Sequence, residues 1–323
     1  RQASNATGKL RGFSIIHMIE SAGAPRPEHA EIRFDPSGTL TLLVGTKAQG
    51  QGHETMYKIM LSDMLGINFD DIRVVDDDTD KVTYGVGTIG SRSALTGGGA
   101  VRRAANKIIE KGTNIAAHMI EAAVTDIEFE DGIFQIAGTD KKVGIQDVAK
   151  AAFNPLLLPK DVEAGFYEQA TYTPSASSFP NGCHVCEVEI DKETGKVKIV
   201  SYIAVDDVGT VVNAMTLAGQ IHGGIAQGAG QALMENIAYD PKNGQMLSGS
   251  FMDYCMPRAG DVPFFDLENN VVPATNTFLG VKGGGEGGTT AAPPALVNAI
   301  VDALSEFGVT HIEMPATPEK IWR

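Results

Sequence analysis

One arrangement of elements occurs twice in this sequence and limits the folds that the chain can adopt. Hydrophobic residues alternate with polar ones on both sides of a short turn, and a glycine-rich element and an amphipathic helix follow. This order is found at about residues 31–65 and again at about residues 185–235. Repetition of a whole unit indicates duplication. We therefore predict an α+β fold in two lobes, with duplicated strand-turn-strand units and helices packed on mixed sheets.

A proline-rich stretch separates the two copies of this unit. Four prolines fall between residues 151 and 180, and the hydrophobic residues there show little periodicity. Such composition is typical of a connection between folded parts. We therefore predict a first lobe over residues 1–153 and a second lobe over residues 154–323.

The composition is that of a globular protein and argues against several classes of partner. Hydrophobic residues make up 43% and charged residues 20% of the 323 residues, as in ordinary folded domains. The net charge of −14 argues against binding to nucleic acid or to an anionic membrane, and no apolar run is long enough to span a bilayer. Three cysteines are too few for a disulfide framework and suit a reducing compartment, so we expect a cytoplasmic protein.

A single acid, Glu286, lies inside the glycine run Gly280–Gly288. Glycine adopts backbone conformations closed to other residues and allows a ligand to approach the main chain. Pro293 and Pro294, followed by apolar residues at helical spacing, predict a helix just after the run, and free N–H groups at a helix N-terminus favour anions. Glu286 is therefore a candidate site residue. The alternative is a glycine-rich linker with one solvated acid, which composition alone favours.

Three further glycine-rich elements precede or merge into predicted helices. They are the segments Gly50–His53, Gly90–Ser93 and Gly219–Gly228. Each alone has an ordinary explanation, such as a capping turn for the serines around Arg92 or a polar contact to the backbone for His53. Taken together with the Glu286 run, four glycine-rich elements with polar side chains can converge on one large, polar, phosphate-bearing ligand.

The sequence contains no convincing metal-ligand cluster or nicotinamide site. Cys183 and Cys186 flank His184, but a zinc site needs a second pair of ligands at similar spacing. Strand alternation places the two cysteines on opposite faces, so we interpret them as structural. Two stretches match G-x-G-x-x-G, at Gly85–Gly90 and Gly283–Gly288, but neither lies in the tight strand-to-helix turn of a dinucleotide-binding fold.

The order of the four glycine-rich elements resembles that of the large-subunit molybdenum hydroxylases. This family includes xanthine dehydrogenase, aldehyde oxidase and aerobic carbon monoxide dehydrogenase. The resemblance covers essentially the whole chain, from Gly50-Gln51-Gly52-His53-Glu54 through to Met314-Pro315-Ala316-Thr317-Pro318. It implies a molybdopterin cofactor in its cytosine dinucleotide form, and oxidation of an aldehyde, an N-heterocycle or carbon monoxide with oxygen from water.

The resemblance also implies roles for particular residues. Glu286 matches the family's catalytic glutamate, which acts as a general base. The metal is held by the dithiolene of the pterin, so no protein side chain is expected to ligate it. The residues that the resemblance assigns to cofactor binding are Gln51, Gly52, His53, Gly90, Ser91, Arg92, Ser93, Gln227, Lys282, Gly283, Gly284 and Gly285.

The family's large subunit is much longer than this chain and has an N-terminal portion that completes the pocket and selects the substrate. The chain is therefore expected to be the C-terminal part of a large subunit or a naturally split subunit, and its sequence does not assign a substrate. The resemblance implies an iron–sulfur subunit and an FAD subunit as partners, together with the remainder of the large subunit. The alternatives are a folded cofactor-binding fragment or a structural subunit, inactive without these parts.

Overall fold

The computed structural model describes residues 1–323, in which strands and helices succeed one another along the chain. The strands are β1 (Lys9–Ile19), β2 (Glu28–Phe34), β3 (Leu40–Val44), β4 (Ile72–Val75), β5 (Ile127–Glu130), β6 (Ile133–Ile136), β7 (Lys142–Gly144), β8 (Tyr167–Tyr172), β9 (Asn181–Asp191), β10 (Val197–Asp207) and β11 (Asp266–Asn269). The helices are α1 (Gln2–Ala6), α2 (His53–Leu65), α3 (Gly98–Met119), α4 (Ile145–Ala151), α5 (Ala214–Leu233), α6 (Gly287–Ala303) and α7 (Pro318–Trp322). The predicted α+β fold is confirmed.

The first sheet has the order β4-β3-β2-β8. The alternating segments on either side of the turn after Phe34 form the antiparallel pair β2–β3, and β4 adds to β3 in parallel. Helices α2 and α3 pack on this sheet, so that Leu61 and Ile108 share one hydrophobic core with Ile32 and Leu42. A small sheet of β5, β6 and β7 lies beside it.

The second sheet has the order β1-β9-β10-β11 and repeats the same plan. The antiparallel pair β9–β10 leads through a loop into α5. Val188, Ile190 and Tyr202 are buried on one face because residues two apart in a strand point the same way. Helices α5 and α6 pack on that face and complete a second core, to which α6 contributes Leu296 and Ile300.

Two strands pair with strands on the other side of the predicted boundary at residue 153. The strand β1 comes first in the chain but pairs with β9 along its whole length, from Lys9 opposite Asp191 to Ile19 opposite Asn181. The strand β8 follows the predicted boundary but pairs with β2 in the first sheet. The two sheets therefore do not divide the chain into 1–153 and 154–323. Alternation shows which face of a strand is buried, but it does not specify a partner distant in sequence.

Two details of the helices differ from the simplest expectation. The glycine-rich element Gly219–Gly228, predicted to merge into a helix, lies wholly inside α5, where Gly224 and Gly228 allow close packing against α6. The helix after Glu286 begins at Gly287, so Pro293 and Pro294 lie within it and not at its start. None of the helices has the length and apolar character needed to cross a membrane.

Candidate active site

A cavity of about 320 Å³ lies where four loops lead into the N-termini of helices. The loops precede α2, α3, α5 and α6, and three of the four predicted glycine-rich elements contribute to them. The residues that line the cavity are Gln49, Gln51, His53, Met56, Thr88, Ile89, Gly90, Ser91, Ser93, Ala94, Val208, Thr210, Val211, Val212, Asn213, Thr216, Leu217, Gln220, Val281, Lys282, Gly284, Gly285 and Glu286.

Close backbone contact between two of these loops explains part of the glycine run. A Cβ atom at Gly283 would lie 2.3 Å from the carbonyl oxygen of Ser91, so only glycine fits there. The loop that carries Ser91 is fixed from the other side, because Gly23 N–H donates to the Gly90 carbonyl at 2.8 Å. Ser91 itself has a φ of +53°, a conformation that non-glycine residues adopt rarely and that is often found at functional sites.

The loop before α6 presents backbone donors to the cavity. The N–H groups of Gly284, Gly285 and Glu286 donate to no acceptor within the chain. They lie directly before the first turn of α6, whose own N–H groups lack helical partners. Gly284, Gly285 and Glu286 all line the cavity. This end of the cavity therefore suits a polar or anionic ligand.

Glu286 stands at the helix terminus with its carboxyl group at the cavity wall. It occupies the N-cap position of α6, where the helix dipole stabilises a negative charge. Its Oε2 atom accepts a hydrogen bond of 2.7 Å from Ser91 Oγ. The side chain is solvent-exposed, so a ligand can reach it. The arrangement is that of an oriented carboxylate able to accept a proton.

A second carboxyl group, Glu20, lies against this one and was not predicted from the sequence. Its carboxyl interacts with Ser91 and Glu286, while its Oε2 atom is buried and has no hydrogen-bond partner. Burial, and then the negative charge of Glu286, raise the pKa of Glu20 to about 7. The alternation in the sequence could have indicated this residue, because Glu20 follows Ile16 and Met18 at two-residue spacing and both of these are buried on the same face of β1.

Lys282 reaches the cavity with its charge already paired. Its ammonium donates to Oδ2 of Asp207, and both side chains are largely buried. Burial alone would raise the pKa of Asp207, but the hydrogen bond from Lys282 and those from the N–H groups of Gly209 and Val272 lower it. Asp207 is therefore ionised, and Lys282 fixes the loop before α6 to the end of β10.

His53 and Gln51 form the wall of the cavity at the N-terminus of α2. The Nδ1 atom of His53 is 3.1 Å from the carbonyl oxygen of Thr46, and it must donate because a carbonyl only accepts. Burial lowers the pKa of His53, so the ring is neutral near pH 7 and Nε2 is an acceptor. The Nε2 amide of Gln51 donates to Gln49 Oε1 at 2.9 Å.

Several predicted cofactor-binding residues do not line the cavity, and Arg92 is the clearest case. Its side chain is 2% exposed, and its guanidinium donates to Glu28 and to the carbonyls of Arg26, Pro27 and Gly87. It fixes the loop that carries Gly90 and Ser91 instead of facing a ligand. Gly52 and Gly283 are also not among the residues that line the cavity.

Gln227 also lies outside the cavity. Its Oε1 atom accepts a hydrogen bond from Thr289 Oγ1 at 3.2 Å. Gln220 stands two turns earlier on α5, about 10 Å along the helix axis, and it is Gln220 that lines the cavity. Asn213, the N-cap of α5, lines it as well. The sequence offered both glutamines in one glycine-rich element, and only the helix geometry distinguishes them.

The pair of cysteines near the start of β9 is structural, as predicted. Cys186 is buried, whereas Cys183 is partly exposed on the other face of the strand. His184 between them is fully buried and contacts Tyr202 Oη at 2.9 Å and Asp206 Oδ1 at 3.1 Å. The neighbouring side chains therefore satisfy this histidine within the second core.

Known proteins resemble this chain over nearly its whole length. The molybdopterin cofactor-binding domain family matches residues 1–263. The nicotine 6-hydroxylase large subunit of Paenarthrobacter nicotinovorans is 40% identical over 98% of this chain and 40% of its own length. The carbon monoxide dehydrogenase large chain of Hydrogenophaga pseudoflava is 36% identical over 100% of this chain and 41% of its own length.

Solved structures give the same result. The Cu,Mo-CO dehydrogenase structure has a TM-score of 0.91 at 35% identity, over 99% of this chain and 42% of that chain. Quinoline 2-oxidoreductase from Pseudomonas putida 86 has a TM-score of 0.91 at 35% identity, over 100% of this chain and 42% of that chain. The chain thus spans about two fifths of the length of these relatives. It belongs to the molybdopterin cofactor-binding domain family, within the large subunits of the molybdenum hydroxylases.

Proposed function

We propose that this chain binds molybdopterin, in its cytosine dinucleotide form, in the cavity before α6 and is the catalytic part of a molybdenum hydroxylase. Glu286 is the general base in this proposal. The observation that supports it most strongly is the position of Glu286 at a helix N-cap, on the wall of the cavity and beside the free N–H groups of Gly284 and Gly285.

The chemistry of the cavity fits such a cofactor. The free N–H groups before α6 suit phosphate or pterin oxygens, and the amide side chains of Gln51 and Gln220 can pair with pterin edges. A Cβ atom at Gly90 would meet no atom within 4 Å, so this loop leaves open space for a ligand. When bound, the molybdenum centre supplies the redox chemistry that removes electrons from the substrate.

The chain's own residues orient the base and the ligand. Ser91 Oγ donates to Oε2 of Glu286, which leaves Oε1 to accept the proton from the reacting water. The side chain of Glu286 lies beside the positive end of the α6 dipole. Because Asp207 neutralises Lys282, the ammonium does not attract the base away from the cavity.

The predicted cofactor residues divide into two groups in this proposal. The residues that would contact the cofactor are Gln51, His53, Gly90, Ser91, Ser93, Lys282, Gly284 and Gly285, all of which line the cavity. Gly52, Arg92, Gln227 and Gly283 would act indirectly, by supporting the loops that carry the first group. Gln220 and Asn213 join the first group.

The remainder of a large subunit, an iron–sulfur subunit and an FAD subunit complete the proposed enzyme, which we place in the cytoplasm. The names of the relatives favour a small substrate that is an N-heterocycle, such as nicotine or quinoline, or carbon monoxide; an aldehyde remains in the proposed class. Three free cysteines, of which none lines the cavity, agree with a reducing compartment.

The substitution Glu286→Gln in the assembled enzyme tests this proposal. Turnover with an electron-accepting dye should fall by a factor of about 10² to 10⁴, the usual contribution of a general base. Metal analysis should find the same molybdenum content as in the unsubstituted enzyme. Glu306→Gln, at an exposed position just after α6, is the matched control and should retain turnover.

Full turnover of the Glu286→Gln enzyme would refute the role of the base and favour a structural subunit. Absence of molybdenum from the unsubstituted enzyme, produced with all its partners in a host that makes the cytosine dinucleotide cofactor, would refute cofactor binding itself.

A further inference from the structure

Two carboxyl groups and one hydroxyl meet at the edge of the cavity. Glu286 comes from the N-cap of α6, Ser91 from the loop before α3, and Glu20 from the residue just after β1. Ser91 Oγ donates to Glu286 at 2.7 Å, and the carboxyl of Glu20 interacts with both of the other groups. Three separate parts of the chain thus converge on one small polar cluster.

The backbone holds Glu20 in this cluster. Glu20 N–H donates to the Pro180 carbonyl at 3.0 Å, and Ala22 N–H donates to the Ser178 carbonyl at 2.9 Å. Two residues before Glu20, the side chain of Met18 packs on the start of α6: a Cβ atom at Gly287 would lie 2.9 Å from its Cε atom. The register of β1 therefore places Glu20 so that it faces the N-terminus of α6.

The charges around Glu20 are negative or already paired. Burial and then the charge of Glu286 raise the pKa of Glu20, the nearby hydroxyl of Ser91 opposes them, and no cation contributes. Lys282 is paired with Asp207, and Arg92 is paired with Glu28. The segment Ser178–Pro180, which also packs against Glu20, contains no titratable side chain.

Two carboxyl groups in contact cannot both be ionised cheaply in a partly buried place. Such a pair usually holds one proton and titrates in two steps. The apparent pKa values of these steps are properties of the pair and not of either residue alone. The buried oxygen of Glu20, which has no partner, is better suited to the neutral acid than to the anion, because an unpaired buried charge is costly. Glu286, at a helix N-terminus, is better suited to the anion.

We propose that Glu20 is a positioning residue for Glu286: the two carboxyl groups share one proton, and Glu20 sets the pH range over which the pair carries a single negative charge. This inference rests on the proposed role of Glu286 as the base. Burial and the charge of Glu286 together keep Glu20 neutral. When Glu286 takes a proton, its charge no longer opposes ionisation of Glu20, which then releases its own proton to water. One proton enters the pair and one leaves it, so the charge of the pair stays at −1.

Infrared titration of the complete, cofactor-free enzyme tests the shared proton without any turnover. The C=O band of a protonated carboxyl group should disappear as the pH rises through about 7. The band should be absent at neutral pH in Glu20→Gln. In Glu286→Gln its midpoint should move down by about one pH unit or more, because interacting carboxyl groups are coupled to that extent. Glu193→Gln, an exposed position in the β9–β10 turn, should leave the band unchanged.

A midpoint that stays near 7 in Glu286→Gln would overturn the proposal, as would a band that persists in Glu20→Gln. If Glu20→Gln does not fold, the shift of the band in Glu286→Gln decides the question alone. These readouts do not involve the cofactor. The infrared test can therefore disprove the shared proton while the proposed function stands. Equally, the proposed function can be disproved while the shared proton is confirmed.

The pH profile of the loaded, assembled enzyme gives the second readout. In Glu20→Gln, kcat at pH 7 should fall on the order of tenfold, as for groups that orient a catalytic residue, while KM and molybdenum content stay unchanged. The ionisation near pH 7 should be missing from the kcat profile and should return in Glu20→Asp, which restores a carboxyl group. A Glu20→Gln profile identical to that of the unsubstituted enzyme would refute the positioning role.

Discussion

At the residue scale, Arg92 shows how a side chain next to the cavity supports the site without touching a ligand. Its guanidinium is 2% exposed and is held by Glu28 and by three backbone carbonyls. These contacts determine the path of the loop at Gly90 and Ser91. The orientation of Glu286 therefore depends on a buried ion pair, through the hydroxyl of Ser91.

Replacement of Arg92 by methionine should destabilise the protein more than it weakens ligand contacts. Glu28 is fully buried and would be left with an unpaired charge, which costs about 3 to 5 kcal/mol when one partner of a buried pair is removed. Urea unfolding of the cofactor-free protein measures this loss. The double variant Glu28→Gln/Arg92→Met should recover part of it, and equal stabilities of the single and double variants would contradict the explanation.

His53 should make the folded state sensitive to mild acid. Burial lowers its pKa in the folded protein, so the unfolded chain binds a proton at higher pH than the folded chain does. The contribution of His53 is fully present above the unfolded pKa of about 6.5 and is lost as the pH falls below that value toward the folded pKa. The free energy of unfolding, measured in urea from about pH 8 to pH 5, should fall less steeply in His53→Gln than in the unsubstituted protein.

At the element scale, the cavity depends on how closely α5 approaches α6. A Cβ atom at Gly224 would lie 2.9 Å from the backbone nitrogen of Thr289, and one at Gly228 would lie 2.7 Å from the Cβ atom of Ala292. Glycines on one face of α5 thus bring the two helix backbones into contact. This contact fixes the N-terminus of α6 and, with it, Glu286.

Neighbouring glycines on α5 allow a matched test of this packing. Gly224→Ala should push α6 away and cost about 1 to 3 kcal/mol, as overpacking of a core does. Gly223→Ala is the control, since its Cβ would meet no atom within 4 Å and alanine is the better helix former by about 1 kcal/mol. Thermal unfolding should therefore move in opposite directions for the two variants. Equal shifts would show that the contact between the helices does not limit stability.

Local patterns in the sequence predicted the strands and helices well, but they predicted poorly which of these elements pack against one another. Alternation located β9 and β10, and the single acid in a glycine run located Glu286, because each is a property of consecutive residues. The glycines of α5 were predicted to merge into a helix rather than to lie wholly inside one, since glycine weakens an isolated helix and only contact with α6 explains them. Glu20 was missed because its partners, Ser91 and Glu286, lie far away in the chain.

At the scale of the whole molecule, the two cores are linked by strands that cross between the two halves of the chain. The two four-stranded sheets each have their own core, but β1 leads directly from the second sheet into the first, and β8 precedes the return of the chain to the second. The cavity lies between loops that follow strands of both sheets. Loss of either sheet would therefore release loops that form the cavity.

Unfolding of the two cores should consequently be a single transition. Amide hydrogen exchange at rising urea, followed by mass spectrometry on peptides from α3 and α6, reports on the first and second cores separately. In the cofactor-free protein the slowest amides of the two helices should open with the same free energy, as in a cooperative transition. A lower opening free energy in α6 than in α3 would show that the second core unfolds independently.

The pairing of β1 with β9 also has a consequence for synthesis of the chain. The strand β1 emerges from the ribosome well before β9, whose residues that pair with it begin only at Asn181. Until then its apolar residues, such as Leu10 and Ile16, have no sheet to cover them, which makes the nascent chain a target for chaperones. Glu20 can meet Glu286 only later still, after translation has passed the start of α6. The two carboxyl groups therefore come together only when the chain segments that line the cavity have been made.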